Sequence, residues 1–286
     1  MSLAALALVV CAAGLHAGWN AIAKRGGDPV VFLWLATLAS TTALLPIGAW
    51  YLLTDGLAPG ALPFVGATIL LHAAYFYALG RAYASGAYSL VYPVARGLGV
   101  ALVPILALLL FDERLSPLGS AGVGLVVAGI VALHRLPRGE AARAVAAAPR
   151  RALLWPIVTG LTIAGYSLVD KAGVARLNPI PYIFLLEAGC ALLGLPLLAV
   201  RRAAVRLEAR GWRSVVLAAL MSALAYTLVL FAFQLSKTGY VVASRELSIV
   251  LSAVIGSLWL REGRLAPRLT GAAVVLGGVL CIALAR

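Results

Sequence analysis

Apolar runs of about 20 residues alternate with short polar breaks along the whole chain. The breaks fall at clusters of charge, Pro and Gly, and they leave ten apolar segments at about 3–23, 30–53, 61–80, 87–111, 116–134, 152–175, 180–200, 212–235, 239–260 and 265–285. At 1.5 Å of rise per residue, about 20 residues cross the ~30 Å hydrocarbon core of a bilayer. Leu, Ala and Val fill these runs without the short alternating pattern of barrel strands, so each run predicts a transmembrane helix. The connections are too short to hold a soluble domain. The expected fold class is an all-α integral membrane protein with ten transmembrane helices.

Composition agrees. Of 286 residues, 63% are hydrophobic and 12% charged, against about half and a quarter in soluble domains. Mean hydropathy is +1.02. Lys and Arg number 23 against 10 Asp and Glu, a net charge of +13. In a soluble chain that excess would suggest a nucleic-acid partner. Here most of it sits in the gaps between apolar runs, and no nucleic-acid motif accompanies it, so the lipid bilayer is the expected partner and nucleic acid is not. Cys11, Cys190 and Cys281 are widely spaced inside apolar runs, which predicts neither disulfide nor metal site, and no cofactor is expected. Met1–Leu15 lacks the positive start of a signal peptide and reads as the first span.

The longest connection is Arg- and Pro-rich. It separates residues 1–135 from 152–286, equal five-span halves joined by a basic linker at 136–151. A shift of 149 pairs Arg96 with Arg245, Leu98 with Leu247, Glu113 with Glu262, Gly122 with Gly271 and Gly129 with Gly278. A shift of 147 pairs Ala17-Gly18-Trp19 with Ala164-Gly165-Tyr166, and Lys24 with Lys171. The rare residues carry the weight, and they predict an internal duplication. An odd number of spans per half makes the repeat inverted, as in secondary transporters whose substrate site lies at the midplane between repeats. The connections between spans 1–2, 3–4, 5–6, 7–8 and 9–10 hold 16 basic residues, and the opposite side holds five: Arg114, Lys171, Arg176, Lys237 and Arg286. The positive-inside rule then places both termini outside the cytoplasm, in a prokaryotic inner membrane.

An ionisable side chain deep in a span costs at least ~2.5–3.5 kcal/mol, so each needs a partner or a wet cavity. Arg96 lies about 14 Å into span 4 at 1.5 Å per residue, near the midplane. Arg245 and Glu246 lie in span 9, Asp170 and Lys171 late in span 6, and Glu187 in span 7. Arg96 and Arg245 are repeat-related, and two guanidinium forks converging on a cavity would bind a carboxylate or phosphate. The structural alternative pairs Arg245 with Asp170 or Glu187 and sets Arg96 on helix carbonyls near Pro93. Glu187, Glu246 and Asp170 are the candidates for proton coupling, since desolvated carboxylates are easily protonated; as partnered acids they would be structural.

Aromatic and polar residues share helix faces at i, i+3, i+4 spacing: His16, Trp19 and Asn20 in span 1, and His72, Tyr75 and Phe76 in span 3 with Tyr83 further along. Tyr166 and Asp170 do the same in span 6. Such faces suit a small polar–apolar ligand; the alternative is interhelical hydrogen bonding. Pro93 through Gly99 predict a bend in span 4 beside Arg96. Gly14/Gly18 and Ser120/Gly124/Ala128 predict close helix packing. Glu113 and Glu262 read as charges at helix N-termini, with a role in the fold.

Taken together, His16-Ala17-Gly18-Trp19-Asn20 with Lys24-Arg25, Glu113 and Glu262 each followed nine residues on by Gly122 and Gly271, and Ser244-Arg245-Glu246-Leu247-Ser248 in span 9 give a chain that resembles the drug/metabolite transporter superfamily, specifically its ten-helix EamA-type members. The resemblance implies export or exchange of a small metabolite by alternating access. It also implies a cavity lined by spans 1, 3, 4, 6, 8 and 9, with spans 5 and 10 peripheral. Members of that family are drawn with cytoplasmic termini, against the charge tally. No GxxxxGK[ST] is present, which excludes an ATP-driven pump of that type. The expected activity is secondary transport of an amino acid or organic anion, coupled to a proton or a counter-substrate. The alternatives are export of hydrophobic cations, which the aromatic faces would hold through cation–π contact, and a membrane-embedded enzyme, for which no clustered motif is found.

Overall fold

A computed structural model describes residues 1–23, 27–85, 88–133, 150–251 and 266–285. Every regular element among them is helical. They are α1 (Leu3–Ala23), α2 (Pro29–Thr54), a 3-10 turn (Pro59–Ala61), α3 (Leu62–Ser85), α4 (Tyr88–Phe111), α5 (Pro117–Leu133), α6 (Arg150–Val174), α7 (Pro179–Val200), α8 (Arg202–Arg210), α9 (Trp212–Leu235), α10 (Thr238–Arg245) and α11 (Ala266–Leu284). Seven of the described helices are long and apolar enough to cross a bilayer. The chain is a multi-pass membrane protein.

Local chemistry sets the boundaries. Asp28 caps α2, its Oδ1 accepting from Val30 N at 3.1 Å and Val31 N at 3.2 Å, and Pro29 follows where no N–H is needed. Asn178 and Pro179 start α7 in the same way. Past the end of α2, Gly56 takes a φ of +74°, a conformation that costs glycine little.

The core is lined with small residues and the outside with large ones. Ala5, Ala12, Ala17, Ala78, Ala95, Ala164, Ala219 and Ala232 are buried, whereas Leu109, Leu110, Leu192, Leu220 and Leu280 are exposed. A bilayer solvates that outer surface, and packing at close range holds the inside. Within the bundle α1 packs on α9, α3 on α6, α4 on α6, α2 on α7 and α5 on α11. Glycines permit the closest approaches: a Cβ on Gly160 would lie 2.9 Å from Ala95 O, and one on Gly122 would lie 2.7 Å from Gly278 O.

Contacts between connections sort the two ends of the bundle. The α1–α2 connection meets α8, because Glu208 Oε1 accepts from Gly27 N at 2.6 Å and Asp28 N at 2.7 Å. At Thr238 the α4–α5 connection meets the start of α10, where Glu113 accepts from the backbone N at 2.6 Å and from Oγ1 at 3.1 Å. The N-terminal ammonium donates to Ala285 O at 2.6 Å, so both termini leave at the same end.

Several expectations change. Span 9 is not one continuous helix: α10 ends at Arg245, Glu246 caps it, and helix resumes over 247–251. α4 runs as a single helix over Tyr88–Phe111, and the break in regular helix falls beside Arg245. Glu113 serves the N-terminus of α10, not of its own following helix, whose first turn is served by Ser116 Oγ accepting from Gly119 N at 3.3 Å. Gly14 and Gly124 have open space where a Cβ would go, and Ser120, Gly124 and Ala128 are exposed, so that stripe does not pack on a described helix. Gly18 does pack closely, its Cβ position falling against Met221 of α9, and on α5 the close contacts belong to Gly122 and Gly129, one helix face over from the expected stripe. The connection between spans 7 and 8 contains the extra helix α8. Lys24, Arg25, residues 136–149, Glu262, Arg286 and the side chains of Tyr83 and Pro93 lie outside the described residues.

Candidate functional site

Asp170 on α6 is fully buried and is held by hydroxyls, not by a cation. Thr68 Oγ1 of α3 donates to its Oδ1 at 2.5 Å and Tyr182 of α7 donates at 2.8 Å, while Tyr226 of α9 donates to Oδ2. Hydrogen bonds to an ionised acceptor are about twice as strong as neutral ones, and here three helices converge on one carboxylate. Thr68 spends its proton on Asp170. His72 Nδ1, 3.0 Å from both Thr68 Oγ1 and Thr68 O, is therefore the donor of that pair, which leaves Nε2 facing away.

An aromatic cluster covers this network. The His72 and Tyr166 rings stack with centroids 4.2 Å apart, and Tyr226 meets His72 edge-on at 5.4 Å and Tyr166 at 6.4 Å. Tyr75 approaches Tyr166 at 5.7 Å. The Arg245 guanidinium lies 5.3 Å from the centre of the Tyr226 ring. Tyr226 thus touches the carboxylate through its hydroxyl and the cation through its face.

Arg96 and Arg245 have different fates. Arg96 is buried and grips Glu246 with two prongs, Nη2 to Oε1 at 2.8 Å and Nε to Oε2 at 3.2 Å. Neither the pairing of Arg245 with Asp170 or Glu187 nor a structural role confined to helix carbonyls describes what is found. Arg245 is half-buried and makes no hydrogen bond or ion pair with any described residue. Beside it, Ser244 Oγ is the buried side-chain polar atom left without a partner among the described residues. α10 packs on α1, α4 and α6, and α3 packs on α6, so spans 1, 3, 4, 6 and 9 converge around one interior.

On α1, Trp19 Nε1 donates to His16 Nδ1 at 3.2 Å and Asn20 Nδ2 donates to His16 O at 2.7 Å. These side chains satisfy one another within their own helix, and all three remain half-buried. Glu187 on α7 has no hydrogen bond or ion pair to a described residue, and it stands apart from the Asp170 network. Lys171 turns to the end of the bundle: its ammonium donates to Phe233 O and, at 2.9 Å, to Ser236 O, and it lies 3.5 Å from Glu113 Oε1. Among the described residues no three His, Cys, Asp or Glu side chains converge as a metal set would.

Thr68, Tyr182 and Tyr226 are the residues that sequence reasoning missed. Thr68 stands four positions before His72, a spacing that places both on one face. Tyr226 is the one aromatic hydroxyl within a span otherwise rich in Leu, Ala and Val.

A bundle of apolar helices that encloses the Arg96–Glu246 ion pair and a hydroxyl-lined carboxylate has the kind of polar interior found in membrane transport proteins. The EamA-like transporter family matches residues 150–284, and the Small Multidrug Resistance protein family matches residues 58–126. The quaternary ammonium compound-resistance protein QacE of Escherichia coli is 35% identical over 85 residues, which are 30% of this chain and 73% of that protein. A multidrug transporter of Pseudomonas aeruginosa is 35% identical over 50 residues, 18% of this chain and 46% of the relative's length. One solved crystal structure shares the fold with a TM-score of 0.73 at 18% identity, over 99% of this chain and 96% of that one. The chain belongs to the drug/metabolite transporter superfamily and is a membrane transporter.

Proposed function

We propose that the chain is a ten-span secondary transporter, built as two inverted five-span repeats, that exports or exchanges a small carboxylate-bearing metabolite such as an amino acid or organic acid. The packing pattern supports the inverted repeat. Exchanging each span for its repeat mate turns the α1–α9 contact into the α6–α3 contact and the α4–α6 contact into the α10–α1 contact, and it maps the α2–α7 and α5–α11 pairs onto themselves. Placement of spans 5 and 10 against each other fits their peripheral role. The 16 basic residues on one side favour termini outside the cytoplasm of a prokaryotic inner membrane. Impermeant thiol labelling of Ala146→Cys in intact cells, with the three native cysteines replaced, would overturn that orientation.

The observation that carries the substrate class is the Arg245 guanidinium. It lies inside the bundle against an aromatic ring, with no carboxylate engaging it among the described residues, while Arg96 is occupied by Glu246. Its fork suits a substrate carboxylate, with the apolar part of the substrate against Tyr75, Tyr166 and His72 and polar contacts from His16, Trp19 and Asn20. Asp170 and Glu246, and Glu187 on α7, are the carboxylates available for proton coupling; counter-substrate exchange is the other means of drive. In proteoliposomes, labelled amino or organic acids accumulate against a counter-substrate or a proton gradient. Arg245→Lys raises the apparent KM and Arg245→Ala abolishes uptake. Unchanged uptake in Arg245→Ala removes this residue from the site.

The relatives' names favour a second reading, in which the aromatic cluster takes a hydrophobic cation. Accumulation of a quaternary ammonium probe that carboxylates do not compete with would decide for it.

A further inference from the structure

The arginines that join α7 to α9, Arg201, Arg202, Arg206, Arg210 and Arg213, enter the transport reading only as part of the charge tally. Within α8, Arg202, Arg206 and Arg210 recur every fourth residue and fall in a sector of about 80° at 100° per residue. All three are exposed. The opposite side of α8 is fixed. Glu208 is buried and accepts the backbone N–H groups of Gly27 and Asp28 at 2.6 and 2.7 Å, α8 packs on α2, and Arg201 pairs with Asp28 at 2.9 Å. The helix therefore cannot roll to hide its arginines.

Large apolar side chains flank the stripe in the open. Leu207 is 58% exposed, Trp212 is 59% exposed, and the Arg213 guanidinium lies 5.6 Å from the centre of the Trp212 ring. Val200 ends α7 and Trp212 starts α9, so α8 lies where two spans leave the hydrocarbon. An exposed basic stripe, an apolar flank and a Trp at the bilayer edge are the features of a helix lying in the headgroup layer.

We propose that α8 is an interfacial helix whose Arg202, Arg206 and Arg210 bind the phosphates of anionic phospholipids, with Leu207 and Trp212 seated at the acyl boundary. A soluble polyanion would leave Leu207 and Trp212 in water. Glu208 holds the cap of α2, so a headgroup bound on α8 is connected to the start of that span.

The test uses the full chain purified in detergent, with native mass spectrometry and phosphatidylglycerol or phosphatidylcholine of matched acyl chains. Phosphatidylglycerol is retained preferentially, and less so as salt rises. Each arginine near an anionic surface is worth about five-fold in affinity, so the triple variant Arg202→Gln/Arg206→Gln/Arg210→Gln loses on the order of 100-fold, and Arg206→Gln alone about five-fold. The corresponding triple Lys variant keeps the preference, which separates headgroup binding from loss of folding. Equal retention of the two lipids, an unaffected triple Gln variant, or competition by inorganic phosphate alone at millimolar concentration would overturn the proposal.

Discussion

Replacing Arg96 or Arg245 removes one positive charge from the same interior, yet the structure predicts unequal consequences. Arg96→Gln leaves Glu246, 2% exposed, without its two-pronged partner. Breaking a buried pair by removing one member costs about 3–5 kcal/mol. Arg245→Gln strands no carboxylate among the described residues and loses the cation–π contact with Tyr226, worth about 0.5–2 kcal/mol. For a chain of this length 1 kcal/mol shifts Tm by roughly 2 °C. The expected drops are then about 6–10 °C for Arg96→Gln and about 1–4 °C for Arg245→Gln. Thermal unfolding of the detergent-purified protein, followed by intrinsic fluorescence, reads both. The double variant Arg96→Gln/Glu246→Gln supplies the control: with both charges gone it recovers part of the loss, a coupling of about 0.5–3 kcal/mol. Equal drops for the two single variants, or strict additivity in the double variant, would refute the assignment of Glu246 to Arg96.

Tyr226→Phe keeps the ring beneath Arg245 but removes one of three donors to Asp170, so it lowers stability by about 1.5–3 kcal/mol. Combined with Asp170→Asn it adds little further loss; full additivity in unfolding experiments would count against the shared network. Glu113→Ala strips the cap from α10 and the ion-pair partner from Lys171, for a loss of about 1–2 kcal/mol, whereas Asp112→Asn, at an exposed neighbour whose φ of +50° Asn adopts as readily as Asp, changes stability by less than about 0.5 kcal/mol. Gly122→Ala drives a Cβ to 2.7 Å from Gly278 O and destabilises the α5–α11 pair by about 1–3 kcal/mol. Gly124→Ala meets open space and is neutral or gains up to about 1 kcal/mol from helix propensity. A reversed order of these two glycine variants in thermal unfolding would show that the other face of α5 is the packed one.

The spans were legible because a bilayer imposes a length and a polarity that few sequences satisfy by chance. The expected starts of spans 2 and 7, at about 30 and 180, fall within a residue of Pro29 and Pro179, where α2 and α7 begin. What failed was finer than composition. In span 5 small residues occupy two faces, Gly122/Gly129 and Ser120/Gly124/Ala128, and spacing alone does not say which meets a neighbour. Helix α8 was hidden because nine residues with four charges read as a connection. The interruption at Glu246 had no Pro or Gly to announce it. Its physical correlate is the buried ion pair: Glu246 closes α10 through its backbone N–H while its carboxylate is held by Arg96 from another helix.

The site was legible as a set of residues and illegible as a set of pairs. The cost of burying charge marks Arg96, Asp170, Arg245 and Glu246 as residues that must be satisfied, and that argument needs only the sequence. How each is satisfied depends on which helices touch. The α6–α3 and α6–α7 contacts give Asp170 its partners Thr68 and Tyr182, and α9 adds Tyr226. Hydroxyls on an apolar span are inexpensive, so Thr68, Tyr182 and Tyr226 attract no notice in a sequence. Three of them are enough to hold a carboxylate without spending a cation on it. Arg245 therefore does not have to neutralise Asp170, and it lies half-buried against the Tyr226 ring. A count of interior charges pairs cations with anions and makes the interior closed. Among the described residues, the hydroxyls that take Asp170 out of that count are what leave the Arg245 guanidinium available.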